Sequence, residues 1–526
     1  PNGLVELYFY SAKGRLMKIR DNTGREKSYQ YDKKGNCIKE SVLLSDNQYQ
    51  TTLFQRDSHG RIVSVTDPNG NLTQYSYTNL EPLPSNVLLP DGTTVHYTYD
   101  RAGRCVSKRN SFGETCYTYT HMDNLSSITD PLGNKTIWEF DSKEQLVRFL
   151  SPEQQDFSHN PQAGTRFQYD AKGNLTAILQ PTSGTYAFLR DRYGRIIKKV
   201  HPNSYRLSTE DGQGTSFWYD EAGHVIREQD PYGNITRYFY DAAGNRTKKV
   251  LPSQYRPHKD DGEGYCYQYN EKNQLVQITA PDGTVRNQYV YDLAGNLIKE
   301  IDAGQYLWNQ QSTKSIGTLY EYNKAGWLVA KRKPVRGEVQ GEVYYQLTVY
   351  RYDLAGNITQ KKQYLDFQTE TSRQGAVATT HYHYDTNNRL IKITHQNGGT
   401  IEYSYDGKHV VEKKQQLNKG LYTIVRWKYD AAERVIQQQN LTEYPLGKDS
   451  WAITKYQYDK NGNLLRVLFP SGGEILRKYD TINQPIEELH IQRNYGIFNR
   501  KQFQYDHRGN CIAIVENNGA KTTMEY

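Results

Sequence analysis

Apolar and polar positions alternate along this chain with a period of two, in short runs closed by polar, glycine-bearing segments. One stretch shows the grammar. Thr236-Arg-Tyr-Phe-Tyr240 sets aromatic residues two apart, Asp241-Ala-Ala-Gly-Asn245 interrupts the alternation, and Arg246-Thr-Lys-Lys-Val250 resumes it. That sequence predicts strand, turn, strand. A second turn type recurs between such pairs, as Asp67-Pro-Asn-Gly-Asn71, Asp130-Pro-Leu-Gly-Asn134, Asp230-Pro-Tyr-Gly-Asn234, Pro90-Asp-Gly-Thr93 and Pro281-Asp-Gly-Thr284. Proline presets φ, aspartate bonds back to nearby backbone N–H groups, and glycine accepts a positive φ. The strands between turns are about five to seven residues long, an ordinary length. No segment carries a convincing amphipathic helical pattern.

The first turn is the signature of a long internal repeat. Full Tyr-Asp-x-x-Gly-Asn tetrads stand at Tyr31, Asp32, Gly35, Asn36; Tyr169, Asp170, Gly173, Asn174; Tyr240, Asp241, Gly244, Asn245; and Tyr291, Asp292, Gly295, Asn296. Three more are Tyr352, Asp353, Gly356, Asn357; Tyr458, Asp459, Gly462, Asn463; and Tyr505, Asp506, Gly509, Asn510. Degenerate copies, such as Tyr10-Ser11, Tyr77-Thr78, Phe140-Asp141, Arg190-Asp191 and Tyr322-Asn323, fill the gaps. The total is about 21 repeats of about 21 residues. Tyr169, Tyr219 and Tyr269 also stand 50 residues apart, because alternate repeats carry matching insertions. These are His201 to Arg206 followed by Glu210-Asp211-Gly212, and Leu251 to Arg256 followed by Asp260-Asp261-Gly262, expected as loops on one rim. Residues 1–526 are thus expected to be one continuous array, a fragment of a longer shell.

Tyrosine pairs at i and i+2, among them Tyr29/Tyr31, Tyr97/Tyr99, Tyr289/Tyr291 and Tyr456/Tyr458, place both rings on one face of a strand. Stacked along a sheet they would form aromatic ladders, and tyrosine-lined faces could also stack on sugars. Some 42 strands at ~4.8 Å would make a ribbon near ~200 Å long, beyond what an open twisted sheet tolerates. Such a ribbon has to curl around an inside.

Composition changes this picture in one respect. A hydrophobic fraction of 36% leans towards disorder, but 46 tyrosines supply large rings with a polar tip. The 66 Lys and Arg against 58 Asp and Glu give +8 without a basic block, so nucleic-acid binding is not indicated. No apolar run approaches the roughly 18 residues of a membrane helix, and the first residues are not a leader sequence.

At its tetrads the chain resembles the Rhs/YD-repeat proteins, which include bacterial polymorphic toxins, the C subunits of Tc toxin complexes and teneurins. The resemblance implies an all-β fold: a long array of YD-repeat β-hairpins forming a spiralling single-layer β-sheet shell, or cocoon, around a cavity. In bacterial members it implies encapsulation of a C-terminal toxin domain until delivery by type VI secretion or another apparatus, in bacterial competition. Implied partners are that toxin domain, a secretion spike or chaperone, and an immunity protein. Implied localisation is cytoplasmic storage followed by secretion or delivery; a cell-surface adhesion module binding glycans or proteins is the alternative. The family's self-cleavage motif of the form Asp-Pro-x-Gly-Leu is not found, so autoproteolysis and toxicity attach to no residue here.

Conventional chemistry finds little purchase. Cys37, Cys105 and Cys511 follow the Gly-Asn or Gly-Arg pair, Cys116 and Cys266 lie three residues before a repeat tyrosine, and no Cys-x-x-Cys occurs. His381 and His383 share a strand face but lack a third metal ligand in the pattern. The Glu210-Asp211-Gly212 and Asp260-Asp261-Gly262 loops lack calcium-ligand spacing. The repeated aspartates start turns, where such side chains cap backbone N–H groups. No nucleophile elbow, P-loop or zinc-protease motif is present, so no catalytic residue, cofactor or metal is expected and the chain is read as non-enzymatic.

Overall fold

A computed structural model describes the chain except residues 1–2, 46, 79–80, 182–183, 202–204, 207–208, 210, 311–314, 336–341, 419, 443–450, 481–482, 494–495, 506–509 and 525–526, and the side chains of 155–157, 442 and 498. Among the described residues, 43 strands belong to one antiparallel sheet. The strands follow one another as a meander: Glu26–Tyr31 pairs with Cys37–Ser45, which pairs with Gln48–Arg56, which pairs with Ile62–Thr66. The all-β reading holds.

Nearly every repeat with a described ladder bends at the same place. Tyr31 opposes Cys37 while Gln30 opposes Lys39, leaving one extra residue on the second strand. The same shift occurs at Tyr169, Tyr291, Tyr352, Tyr458 and Tyr505. A bulge locally bends a strand and increases its right-handed twist, so its recurrence at the tyrosine end of the hairpins bends the ribbon locally at regular intervals.

A single layer has two open faces, and few side chains are fully buried. Among the most enclosed are Leu150, Val200 and Val250, each at the end of a second strand just before an insertion. A satellite cluster of Ile316, Val343 and Tyr345, with Trp308 and Leu319 packed on it, lies beside a helix at Ala303–Asn309. That helix corrects the sequence reading. Seven residues are too few for a 3.6 period to show, and what starts it is a capping box in which the Asp302 carboxylate accepts from the Gln305 N–H and the Gln305 side chain accepts from the Asp302 N–H.

The chain divides into two compact units, each made of two stretches: 1–94 with 236–403, and 95–235 with 404–526. In the first unit the stretches meet at their turns. The Asn69 side chain donates to the Asp353 carboxylate (3.0 Å) and to Asn388 Oδ1 (3.2 Å), and its own Oδ1 accepts from the Ala355 N–H. Asn388 donates to Asp67 Oδ2 (2.9 Å), Arg389 pairs with Asp91 (3.0 Å), Arg25 donates to Asn296, and the Lys324 N–H donates to the Leu44 carbonyl. In the second unit Glu153 bridges to the corner at Asp459: its N–H donates to Asn461 Oδ1, and its carboxylate accepts from the Lys460 N–H.

Candidate functional site

The feature that recurs from end to end is the corner between the two strands of each hairpin. At Asp170 the Oδ1 oxygen accepts from the backbone N–H groups of Lys172 (2.9 Å) and Asn174 (2.8 Å), and Oδ2 accepts from the Asn174 side chain (2.9 Å). The backbone closes the turn through Gly173 N–H to Asp170 C=O and Asp170 N–H to Asn174 C=O. The Asp-to-Asn pattern repeats at Asp32, Asp241, Asp292, Asp353 and Asp459. The glycine φ values are +99° at Gly35, +88° at Gly173, +84° at Gly244, +88° at Gly295, +95° at Gly356 and +91° at Gly462. Asp506 and Gly509 of the last tetrad lie outside the described residues; Asn510 is half-buried.

The sixth position explains the degenerate copies. Where arginine replaces asparagine, at Arg61, Arg104, Arg195, Arg389 and Arg434, its Nε donates to the same Oδ2 at 2.7–2.8 Å. The guanidinium then covers the tyrosine of the next repeat: Arg61 over Tyr77 at 4.4 Å, Arg104 over Tyr119, Arg195 over Tyr219, Arg434 over Tyr458. The Asn174 side-chain bond, then the backbone N–H groups, hold the Asp170 carboxyl below its ordinary value; Asn36 and Asn245 do the same for Asp32 and Asp241, and Arg104 for Asp100.

The tyrosine clasps each hairpin to the one before it. Tyr31 Oη donates to the Leu16 carbonyl (2.8 Å), Tyr169 to Leu146 (2.9 Å), Tyr291 to Leu275 (3.0 Å), Tyr352 to Leu328 (2.6 Å), Tyr458 to Val435 (2.7 Å) and Tyr505 to Pro485 (2.8 Å). These acceptors all open the second strand of the preceding hairpin. Arginine can serve in its place. Arg190, standing where tyrosine is expected, donates to the Leu175 carbonyl (3.1 Å), and Arg56 to Cys37 (3.2 Å). Burial raises the phenol pKa at Tyr31, Tyr169, Tyr291 and Tyr352, and pushes Tyr505 up to about 12. This arrangement revises the expected ring ladders. Successive repeat tyrosines lie on alternate strands, roughly 10 Å apart, with an intervening side chain between them, as Glu300 follows Tyr289 and Lys361 follows Tyr350. Hydroxyl and guanidinium contacts therefore recur along the face, with ring contacts such as Tyr97 on Tyr99 (6.5 Å between centroids) interspersed.

At the opposite hairpin end, three insertions share an anchor that sequence reading missed. Arg148 donates to the carbonyls of Ser158 and Asn160, Lys198 pairs with Asp211 (2.8 Å), and Lys248 pairs with Asp261 (2.8 Å). Two residues on come Leu150, Val200 and Val250, and fourteen beyond them Gly164, Gly214 and Gly264. A Cβ on these glycines would stand 2.3, 2.2 and 2.5 Å from the carbonyl oxygens of Phe149, Lys199 and Lys249. Their 50-residue spacing was the available signal. Of the four carboxylates considered for calcium, Asp211 and Asp261 are thus engaged by lysines, Asp260 accepts from Arg237 and Tyr255, and Glu210 lies outside the described residues.

The remaining candidates are scattered. His381 and His383 are exposed on one face of Val377–Tyr384, and among the described residues no group of three or more His, Cys, Asp or Glu is placed to hold a metal. All five cysteines are free; Cys37, Cys105 and Cys511 direct Sγ at the carbonyl two residues on.

Fold and corner together define a β-ribbon of clasped, self-capped YD hairpins. Residues 42–155 match the teneurin YD-shell family, and residues 219–254 and 269–306 match the RHS repeat family. Double-stranded DNA deaminase toxin A of Burkholderia cenocepacia (strain H111) is 26% identical over 142 residues, covering 24% of this chain and 10% of that protein. A chain of the Photorhabdus luminescens Tc holotoxin pore aligns over 100% of this chain and 30% of its own length, with a TM-score of 0.51 and 13% identity, a likeness of fold. This chain spans under a third of the length of either relative.

Proposed function

We propose that this chain is a wall segment of a toxin-enclosing shell, non-catalytic itself, which holds a toxin domain of its parent protein until delivery from a bacterial cell. The observation that carries the reading is the same self-capped corner repeated along the ribbon, with a full-length likeness in fold to a chain of a Tc holotoxin. A container needs walls that are continuous, curved and chemically inert. The bulge at each tyrosine supplies the bend, and the corner aspartates spend their lone pairs on their own turns, leaving no obvious reactive centre. The relative from Burkholderia, a toxin by name, supports a toxin cargo. Cytoplasmic storage before secretion, by a type VI or similar apparatus, completes the proposal.

The test is electron microscopy of the chain expressed with its native flanking sequence, combined with limited proteolysis. Density enclosed by the wall, and a segment that resists protease until the wall is unfolded, is the expected result. A solid rod or an extended ribbon without a lumen would overturn it.

A further inference from the structure

We propose that the turn-to-turn seam inside each compact unit is a parting line, along which the two stretches of ribbon separate and re-seat while every strand ladder stays paired. The contacts between the two stretches lie chiefly at turns. In the first unit they join the second turns at Arg25, Leu44, Asp67–Asn71 and Asp91 to the corners at Asn296, Lys324, Asp353–Asn357 and Asn388–Arg389. In the second unit they join Glu153 to Lys460 and Asn461, and Phe112 edge-on to His409. Among the described residues no strand pairing crosses either seam; each ladder of the main sheet joins strands that follow one another along the meander.

Both sides of the seam are complete without it. The corner at Asp353 keeps its own bonds to Ala355 N–H, Asn357 N–H and the Asn357 side chain when Asn69 leaves, and the turn at Asp67 keeps those to Asn69 N–H, Asn71 N–H and the Asn71 side chain when Asn388 leaves. The polar groups released are amides, carboxylates and guanidinium groups at turns, which water can satisfy at once; the Phe112–His409 ring contact is lost with them. Opening a ladder would strip backbone pairs from two strands together, a larger and more cooperative loss. The seam is therefore the lowest-cost opening in each unit. For a container this offers a way to load or empty without unfolding; that use rests on the proposed function, whereas the parting line itself rests only on the contacts.

Hydrogen exchange on the whole chain tests it, because four backbone amides bond across the seams: Ala355 N–H, which divides between Asn69 and its own Asp353, and the three followed here, Lys324 N–H to the Leu44 carbonyl, Lys460 N–H to Glu153, and Glu153 N–H to Asn461. Ala325 and Trp327, whose N–H groups donate to Asn323 Oδ1 within the same corner as Lys324, are the internal controls. We expect the three seam amides to exchange at least about 100-fold faster than the controls and the ladder amides of Tyr345–Tyr352. Asn69→Ala should speed exchange at Lys324 several-fold further and leave Ala325 and Trp327 unchanged. Seam amides that exchange at the rate of the ladders in the unaltered chain would overturn the parting line, showing that the stretches come apart only on unfolding. That result would leave the shell reading untouched, whereas absence of a lumen would leave the parting line standing.

Discussion

Two corners in the first unit, Tyr31–Asn36 and Tyr352–Asn357, share the aspartate-to-asparagine cap and the tyrosine clasp and differ in what lies outside. Each aspartate caps its turn, each glycine has a left-handed φ, and each tyrosine clasps the preceding hairpin. At the first corner the residues between aspartate and glycine are Lys33 and Lys34, both exposed; at the second they are Leu354 and Ala355, half-buried, with Asn69 seated on the Asp353 carboxylate and the Ala355 N–H. The comparison separates two jobs. The conserved-looking tetrad builds the corner, and the two variable residues inside it decide whether the corner faces water or another turn.

The largest perturbation should act on both corners alike. Burial lifts the Tyr31 and Tyr352 phenols above the ordinary 10.0, so the neutral clasp contributes stability that is fully present below pH 10 and is lost as the pH rises through the folded values, reaching about 12 at Tyr505. Alkaline titration followed by tyrosinate absorbance and circular dichroism should therefore show ionisation and loss of β signal together above pH 10. Ionisation of most tyrosines with the β signal intact would mean that the clasps hold nothing.

Glycine replacement should distinguish the corners. Gly244→Val, at φ +84°, should cost about 2 kcal/mol from backbone strain. Gly356→Val should cost about 3 kcal/mol, because its Cβ would also press on Trp327 at 3.1 Å. Urea unfolding with exchange mass spectrometry would localise both losses; equal costs would erase the distinction. Next in size is the hydroxyl. Tyr31→Phe and Tyr352→Phe should each lose about 1 kcal/mol locally, alike at the free and the docked corner. The reverse change, Phe140→Tyr, restores a hydroxyl in a repeat that lacks one and should raise the local opening free energy by roughly 0.5 kcal/mol, read by the same exchange measurement.

Much of this was legible in the sequence, for physical reasons. A period of two, punctuated by Asp, Gly and Pro, leaves few alternatives to β-hairpins, and the all-β fold follows. The tyrosine clasp was not legible, because alternation assigns a ring to a face but not its hydroxyl to a carbonyl a hairpin away. Nor was the equivalence of Asn174 and Arg104, or of Tyr169 and Arg190, since those pairs share donor geometry and not hydropathy. Gly164, Gly214 and Gly264 stood in plain view at a fixed interval, but their reason is close backbone approach, which no one-dimensional pattern records. The seam was beyond reach, since it joins residues hundreds of positions apart.

That separation makes the seam a counting device. Arg25 meets a partner 271 residues ahead, Asn69 meets partners 284 and 319 ahead, and Asp67 one 321 ahead. The corners themselves tolerate gain or loss of a whole repeat, because each refers only to its nearest neighbour. The seam does not: inserting one repeat of about 21 residues between partners would carry every later corner one step past its mate, as a vernier slips by a division. Lineages of this array should then vary freely in their rim insertions while holding the number of hairpins between seam partners fixed, an arithmetic constraint imposed by side chains that touch nothing else in common.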